Sequence, residues 1–200
     1  DPANKVKPQL CIVGQKGTTV TISIAGLGYL NNFVMPANSA NITLPVDADL
    51  GDLNDAVANK GVHVVASEPV SVYGLSQVKF TSDGYLGLPT EVLAREYIVV
   101  GYSNVHTGIP ELNGTQFAVV ATQPNTTLSI TPSYVTPPHD SGFPYTLVLT
   151  NAGDVFQLRN TADAPADLTG TRVESDLPVA VFGGHQVANV RSEEHTSELQ

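Results

Sequence analysis

Four aspartates are crowded into one short stretch of the chain, VDADLGDLNDAV, and calcium prefers several carboxylates from one flexible loop. They are Asp47, Asp49, Asp52 and Asp55. Their spacing departs from the EF-hand loop, which needs a third acidic or amide ligand at its fifth position and a glutamate at its twelfth. We interpret the stretch as a solvated acidic loop, and we keep the four aspartates only as a candidate metal site.

Histidine is the next residue type that could do chemistry. Four of the five histidines lie on different segments, and none of these four has a second metal ligand two or four residues away: His63, His106, His139 and His185. His63 alternates with Val62 and Val64, which predicts a solvent-facing strand position. His185 follows two glycines, so we interpret it as a structural turn residue and keep it as a candidate for partner binding.

No recognised catalytic motif occurs in the chain. It contains no GxSxG nucleophile elbow, no HExxH helix and no phosphate-binding loop. Gly26 and Gly28 lack the third glycine and the following helix of a dinucleotide site. The sequence therefore predicts no catalytic residues and no cofactor, and the protein is expected not to be an enzyme.

Two further residue types invite modification or cross-linking. Three asparagines begin glycosylation sequons, which matter only in a eukaryotic secretory pathway: Asn41, Asn113 and Asn125. The single cysteine, Cys11, excludes an intrachain disulfide framework and a cysteine-rich zinc site. It lies in the apolar run LCIV, which predicts a small core residue.

The charge balance excludes whole classes of partner. Nine basic residues stand against nineteen acidic ones, a formal net charge of −10. Too few basic residues exist to build the positive face of a nucleic-acid binder, and an anionic membrane surface is disfavoured for the same reason. No apolar run approaches the roughly 20 residues of a spanning helix, so this segment should not insert into a membrane.

Repeats organise the chain and must position these residues. Four segments share a short apolar strand, a tight turn and an alternating strand, and they begin at Cys11, His63, Ala118 and Arg172. Units of about 54 residues, each with four short antiparallel strands, follow from this spacing. A closer match appears at twice the period, because GVHVVASEPVSVYG from Gly61 aligns with GTRVESDLPVAVFG from Gly170.

Two all-β architectures fit this pattern. Four strands per unit favour β-propeller-like blades, with the last unit incomplete. The alternative is that each pair of units folds as one of two tandem eight-stranded β-sandwiches. We expect residues 1–9 to be a linker and residues 10–190 to be the repeat domain, truncated at its C-terminus. Residues 191–200, RSEEHTSELQ, look like the translation of a sequencing adapter and are interpreted as an artefact.

Three stretches resemble a known family when they are taken in order. They are GVHVVASEPVSVYG at 61–74, DGYLGLP at 83–89 followed by EYIVV at 96–100, and DLTGTRVESDLPVAVFGGHQ at 167–186. Over residues 10–190 the chain resembles the N-terminal domain of the IgG Fc-binding protein family, which opens large secreted or surface-attached multidomain proteins. That family often carries cysteines near the strand that ends in Gly-His. None is present here, so its disulfides do not carry over.

The functional expectation follows from the resemblance and from the lack of catalytic motifs. We expect a non-enzymatic extracellular or cell-surface domain used in adhesion, which recognises a protein or glycan partner and forms part of a larger chain. Two alternatives stay open: a structural spacer in a large surface protein, and a carbohydrate-active enzyme, which would need two carboxylates converging on one cavity.

Overall fold

The computed structural model describes residues 7–78 and 81–188. Strands and short 3-10 turns are the regular elements of these residues. The first eight strands are β1 (Lys7–Gly14), β2 (Thr19–Ile24), β3 (Tyr29–Val34), β4 (Ser39–Thr43), β5 (Ala56–Ala58), β6 (His63–Ala66), β7 (Val70–Val78) and β8 (Thr81–Gly87). The others are β9 (Glu96–Ile98), β10 (Thr115–Ala121), β11 (Thr126–Thr131), β12 (Tyr145–Leu149), β13 (Val155–Asn160), β14 (Arg172–Ser175) and β15 (Val179–His185). Single 3-10 turns lie at Ala25–Leu27, Val46–Ala48, Thr90–Val92 and Pro110–Leu112.

These strands form four antiparallel sheets and, within the described ranges, no closed barrel. Sheet A has the order β4-β1-β7-β8, and sheet B has the order β3-β2-β6. Sheet C has the order β15-β10-β13-β5, and sheet D has the order β12-β11-β14-β9. The expectation of an all-β protein is confirmed. None of the helical turns that the structure describes is long and apolar enough to cross a membrane.

Each core lies between two sheets, because the alternation of apolar residues places one face of every strand inward. Leu10 and Ile12 of β1 pack in one cluster with Val20 and Ile22 of β2. A second cluster joins the inward residues of sheets C and D, and its largest buried members are Phe117 and Phe156. We call residues 7–98 the first half, which contains sheets A and B, and residues 99–188 the second half, which contains most of sheets C and D.

The propeller-blade arrangement is not what these strands form. A blade would place the consecutive strands of one unit in a single sheet, whereas β1 and β2 lie in sheets A and B. The reason is packing: the apolar faces of β1 and β2 are buried against each other across the core, so the two strands cannot be neighbours in one sheet. Cys11 is also not a core residue. Leu10 and Ile12 face inward, so Cys11 lies on the outer face of sheet A, where it is half-buried.

The two halves share one strand order. In sheet A the order is β4-β1-β7, and in sheet C it is β13-β10-β15. In sheets B and D the matching orders are β3-β2-β6 and β12-β11-β14. This match corresponds to the longer of the two sequence periods, since the segments that begin at Gly61 and Gly170 contain β6–β7 and β14–β15 respectively.

Two strands cross from the first half to complete the sheets of the second. β5 lies between β4 and β6 in sequence but pairs with β13, and β9 pairs with β14. Gly61 follows β5, and its N–H donates to the carbonyl of Gly153 over 2.8 Å. A Cβ at Gly61 would lie 2.8 Å from that same carbonyl oxygen, so this close approach requires glycine.

Two expectations concern the ends of the chain, namely the linker at 1–9 and the adapter-like segment at 191–200. β1 begins at Lys7, inside the segment expected to be a linker. The adapter-like segment 191–200 lies outside the described residues, and so do residues 1–6.

Candidate functional site

The candidate site is the long loop between β11 and β12, residues 132–144, with the sequence PSYVTPPHDSGFP. The loop is folded by its own backbone. The N–H of Gly142 donates to the carbonyl of Pro132 over 2.8 Å and closes its base. Thr136 and His139 exchange two backbone hydrogen bonds of 2.9 Å each. A loop of this length with its own hydrogen bonds is typical of functional surface loops.

Side chains of the second half anchor the loop from beneath. Asn160, at the end of β13, donates from Nδ2 to the carbonyl of Val135 over 2.8 Å and to Oγ1 of Thr136 over 3.1 Å. Tyr134 packs against the core of the second half. The Oγ of Ser141 donates to the carbonyl of Ser133 over 2.8 Å. These bonds satisfy backbone groups that a loop would otherwise leave to water, and they fix the loop's shape.

His139 connects the loop to both halves. Its ring lies parallel to the ring of Tyr145, with centroids 3.6 Å apart and an interplanar angle of 8°. Its Nε2 lies 3.0 Å from Oδ1 of Asp55 in the first half. Burial, with the Asp55 carboxylate as a second cause, raises the pKa of Tyr145 well above its ordinary value, so its hydroxyl stays neutral.

The loop presents an aromatic side chain to solvent. Phe143 is 70% exposed, and Val135 on the same loop is also exposed. An exposed aromatic ring on an anchored backbone binds a partner at low cost in conformational entropy. Aromatic residues are enriched among those that carry most of the energy of protein interfaces. The arrangement therefore supports binding of a macromolecule.

The side chains of the four aspartates in the acidic loop do not converge on one point. Asp52 accepts from Nη1 of Arg159 over 2.6 Å, and Asp55 contacts His139. Oδ1 of Asp49 accepts the N–H of Gly51 over 3.1 Å, and Asp47 is exposed. Within the described ranges, no three acidic, histidine or cysteine side chains are close enough to hold a metal ion.

The reason for this separation is that the acidic loop packs on the outer face of sheet C. The Nε2 of Gln157 donates to the carbonyl of Leu53 over 2.6 Å, and Oδ1 of Asn54 accepts the N–H of Arg159 over 2.8 Å. Arg159 and Gln157 both lie on β13 and are buried. Asp52 stays solvated, with its side chain 92% exposed, although it contacts Arg159. Asp55 departs from the expectation of a solvated loop, because its side chain is largely covered where it contacts His139.

His185 belongs to a buried polar network and not to an exposed turn. It is the last residue of β15 and faces the interior, and its ring is nearly perpendicular to that of Tyr102, with centroids 5.9 Å apart. The network centres on Asn104, whose Nδ2 donates to the carbonyls of Asn160 and Ala162 over 2.9 and 2.8 Å. Its Oδ1 accepts the N–H groups of Gly114 and Thr115. The burial of His185 removes it from any surface that a partner could reach.

The other expected site residues lie far from the loop's exposed tip. His63 is exposed, as expected, and lines an open cleft of about 350 Å³ between the halves. The cleft is also lined by Thr90, Glu91, Thr122, Gln123 and Pro178. Among the described residues, Glu91 supplies the single carboxylate that lines the cleft, which is one fewer than a glycosidase needs.

The three sequons differ in access. Asn41 is exposed on β4, and Asn125 is exposed in the turn between β10 and β11 with φ of 59°. Asn113 is fully buried; its Nδ2 donates to the carbonyls of His106 and Ala162, and its Oδ1 accepts the N–H of His106. An oligosaccharide at Asn113 would require this part of the network to open, so Asn113 is not an acceptor in the folded protein.

Sequence reasoning missed the loop 132–144 and the asparagine network. The loop had a signal, since four prolines and a glycine separate two clear strands: Pro132, Pro137, Pro138, Pro144 and Gly142. No sequence signal pointed to Asn104, because its partners lie 10 to 81 residues away in sequence.

Comparison with known proteins agrees with the binding interpretation. No curated protein and no solved structure matches the chain. A family model with the description IgGFc binding protein matches residues 83–199, which include β9 to β15 and the loop 132–144. The family is one of binding domains. The match covers more than half of the chain, and the chain therefore belongs to the IgGFc binding protein family.

Proposed function

We propose that this chain is a non-enzymatic extracellular binding domain whose loop 132–144 contacts a protein partner through Phe143. The observation that carries the proposal is the exposure of this ring on a loop that Asn160 and His139 hold in place. Anchored loops on a β-scaffold are the usual place for recognition residues. The loop also lies within the family match.

The family's description names the first partner to test, the Fc region of immunoglobulin G. The chain's acidity favours a partner with a basic or neutral contact surface. A glycan partner is the second candidate, because the open cleft beside His63 is lined mainly by polar side chains. Extracellular placement is supported by the family, whose members are typically secreted or surface proteins.

The architecture we propose is a pair of tandem sandwiches within a larger multidomain adhesion protein. The shared strand order of the halves and the two separate cores support it. The spacer role predicts a rigid rod without a recognition surface. The carbohydrate-active role predicts turnover in the cleft that depends on Glu91.

The experiment measures binding of the 200-residue chain to immobilised Fc and to a glycan array by biolayer interferometry. We expect Fc binding that Phe143→Ala weakens at least tenfold, about 1.4 kcal/mol. The matched control is Leu30→Ala on β3, which removes an equally exposed apolar side chain from the first half. Equal losses for both variants would contradict the loop assignment.

The remaining outcomes separate the alternatives. Binding to a glycan that His63→Ala or Glu91→Gln abolishes, with Phe143→Ala unchanged, would move the site to the cleft. Absence of binding to both Fc and glycans would favour the spacer. Hydrolysis of a glycan substrate that Glu91→Gln abolishes would establish the enzyme.

A further inference from the structure

The outer face of sheet C is an internal interface. Gln157 and Arg159 of β13 point outward from the core, yet both are buried under the acidic loop of the first half. Phe182 of β15 lies on the same face, and its ring meets that of Tyr85 of β8 at 5.1 Å. The first half thus covers this face with its acidic loop and with β8.

The outer face of sheet A has residues at positions equivalent to those on the outer face of sheet C. Ala118 in the centre of sheet C is paired with Gln157 on one side and with Phe182 on the other. Cys11 in the centre of sheet A is paired with Asn41 on one side and with Tyr73 on the other. The row Asn41–Cys11–Tyr73 is therefore the counterpart of the row Gln157–Ala118–Phe182.

In the counterpart row of sheet A, Asn41 and Tyr73 are exposed and Cys11 is half-buried. Tyr73 is 46% exposed, and its neighbour Leu86 on β8 is 50% exposed. Val13 and Leu75 extend the exposed apolar surface on the same side of the sheet. Apolar side chains that are contiguous across three strands mark an interaction surface. Of the matching residues of sheet C, Gln157 is buried and Ala118 and Phe182 are half-buried, so that face is more covered than the face of sheet A.

Two strand edges show the same difference. β13 and β14 receive β5 and β9, which arrive from the first half. Their counterparts β4 and β6 each pair with one strand only in the part of the chain that the structure describes. A strand edge with unpaired backbone groups is a template for a further strand.

We propose that the outer face of sheet A, together with the edges of β4 and β6, docks a further module of the same kind as the first half. The occupant presents an acidic loop and a β8-like strand to the face, and β5-like and β9-like strands to the two edges. Tyr73 takes the place of Phe182. Asn41, in the place of Gln157, bonds loop carbonyls, and no ion pair like that of Arg159 forms, because its counterpart is Thr43.

A second copy of this chain does not fit as the occupant. Its acidic loop, β5 and β9 are already bound to its own second half, so it has no free donor surface of this type. The occupant is therefore a module whose acidic loop, β5-like strand and β9-like strand are not already bound. This inference is independent of the Fc proposal, which concerns the loop 132–144.

Cys11 provides a single-site reporter, since it is the only cysteine and lies in the centre of the face. The test joins residues 7–98 of a second copy in front of the full 200-residue chain by a glycine–serine linker as long as segment 99–114. The added module carries Cys11→Ser, and the protein is made in bacteria so that Asn41 stays unmodified. We expect the reaction of Cys11 with a thiol reagent to slow at least tenfold relative to the 200-residue chain. Hydrogen exchange in β4 and β6 should slow as well.

The matched controls are two placements of one substitution. Tyr73→Asp in the receiving module should restore the reactivity of Cys11, whereas Tyr73→Asp in the added module, whose own face stays open, should not. Unchanged Cys11 reactivity in the tandem overturns the proposal. An added module that is digested by protease while the rest stays folded overturns it equally, because a docking face of this kind would hold the module. Equal effects of the two Tyr73→Asp variants also overturn it.

Discussion

The Nε2 atom of His185 lies 2.9 Å from Oδ1 of Asn104, while Nδ1 of the same ring accepts the N–H of Val187 over 3.0 Å. Since Nδ1 is an acceptor, the ring carries its single proton on Nε2 and donates it to Asn104. His185 is therefore neutral in the folded protein. Protonation at Nδ1 would remove the acceptor for Val187 and bury a positive charge near Arg159.

This arrangement predicts a loss of stability in mild acid. Burial lowers the pKa of His185; the backbone of Val187 and the Asp167 carboxylate only partly oppose this, while His106 and Arg159 lower the pKa further. The unfolded state then binds a proton before the folded state does. The stabilising contribution is complete above the unfolded pKa of about 6.5 and is lost as the pH falls through the lower folded value. Urea unfolding should show a lower free energy of unfolding at pH 5 than at pH 7.5.

The variant His185→Gln tests the assignment of this effect. Its amide keeps a donor for Asn104 but does not titrate, so the loss between pH 7.5 and pH 5 should be smaller than in the parent protein. Asp154 does not interfere in this range. Burial raises its pKa, but hydrogen bonds from Asn59, Asn151 and Thr150 outweigh burial and lower it. Its contribution is lost only below about pH 4. An identical pH dependence in the two proteins would contradict the role of His185.

Asn104 should be among the most sensitive positions in the second half. Replacing it with alanine removes the acceptor of the Gly114 and Thr115 N–H groups and of His185 Nε2, and it removes one donor from each of the carbonyls of Asn160 and Ala162. Each buried polar group left unpaired costs about 1–3 kcal/mol, so Asn104→Ala should lower the free energy of unfolding by roughly 3 kcal/mol or more. Asn41→Ala, at an exposed strand position, is the control and should change it by less than about 0.5 kcal/mol.

His139 should matter for the shape of the loop 132–144. His139→Ala removes the stack on Tyr145 and the contact with Asp55, and a destabilisation of about 1–2 kcal/mol is expected. Hydrogen exchange should accelerate at the amides of Thr136 and Gly142, which close the loop. His63→Ala, at an exposed position, should leave these amides unchanged; acceleration in both variants would point to global destabilisation.

Calcium should have little effect on stability. Asp52 and Asp55 are engaged with Arg159 and His139, which leaves the acidic loop without converging ligands. A ligand at a hundred times its dissociation constant adds about 2.7 kcal/mol, which would raise the melting temperature by roughly 5–10 °C in a chain of this size. Melts in calcium and in chelator should coincide within about 1 °C. A shift of several degrees that Asp49→Asn removes would restore the metal site.

Expression in a eukaryotic secretory pathway should separate the three sequons. Mass spectrometry is expected to find carbohydrate at Asn41, Asn125 or both, and none at Asn113, because only the first two side chains reach solvent. Occupancy at Asn113 would mean that the network around Asn104 closes after glycosylation and not before. Comparison with protein made in bacteria controls for other modifications.

Strand positions were readable from the sequence, and sheet partners were not. The alternation of Val20, Ile22 and Ile24 identified β2 and its buried face correctly. The same alternation does not reveal which strand lies beside β2, because paired strands can be far apart in sequence. This is why the repeat pattern suggested blades while the strands of one unit are divided between two sheets.

The site was less accessible to sequence reasoning for a related reason. The acidic loop was visible as four aspartates, but its contact with Arg159 joins positions 107 residues apart. Cys11 was placed in the core because Leu10, Ile12 and Val13 surround it, and an apolar run does not reveal which of its members face outward. The local sequence pattern does not explain why the outer face of sheet A is apolar.

The crossing of β5 and β9 has a consequence for synthesis on the ribosome. Both strands leave the ribosome well before Val155 and Arg172, the first residues of the strands that pair with them. During that interval the nascent first half exposes β5 and β9 without their partner strands. It also exposes the surface of the acidic loop that later packs on sheet C. Their protection must wait for the second half or come from a chaperone. Slow translation between residues 98 and 155 would therefore lengthen the period in which nascent chains on one polysome can exchange strands.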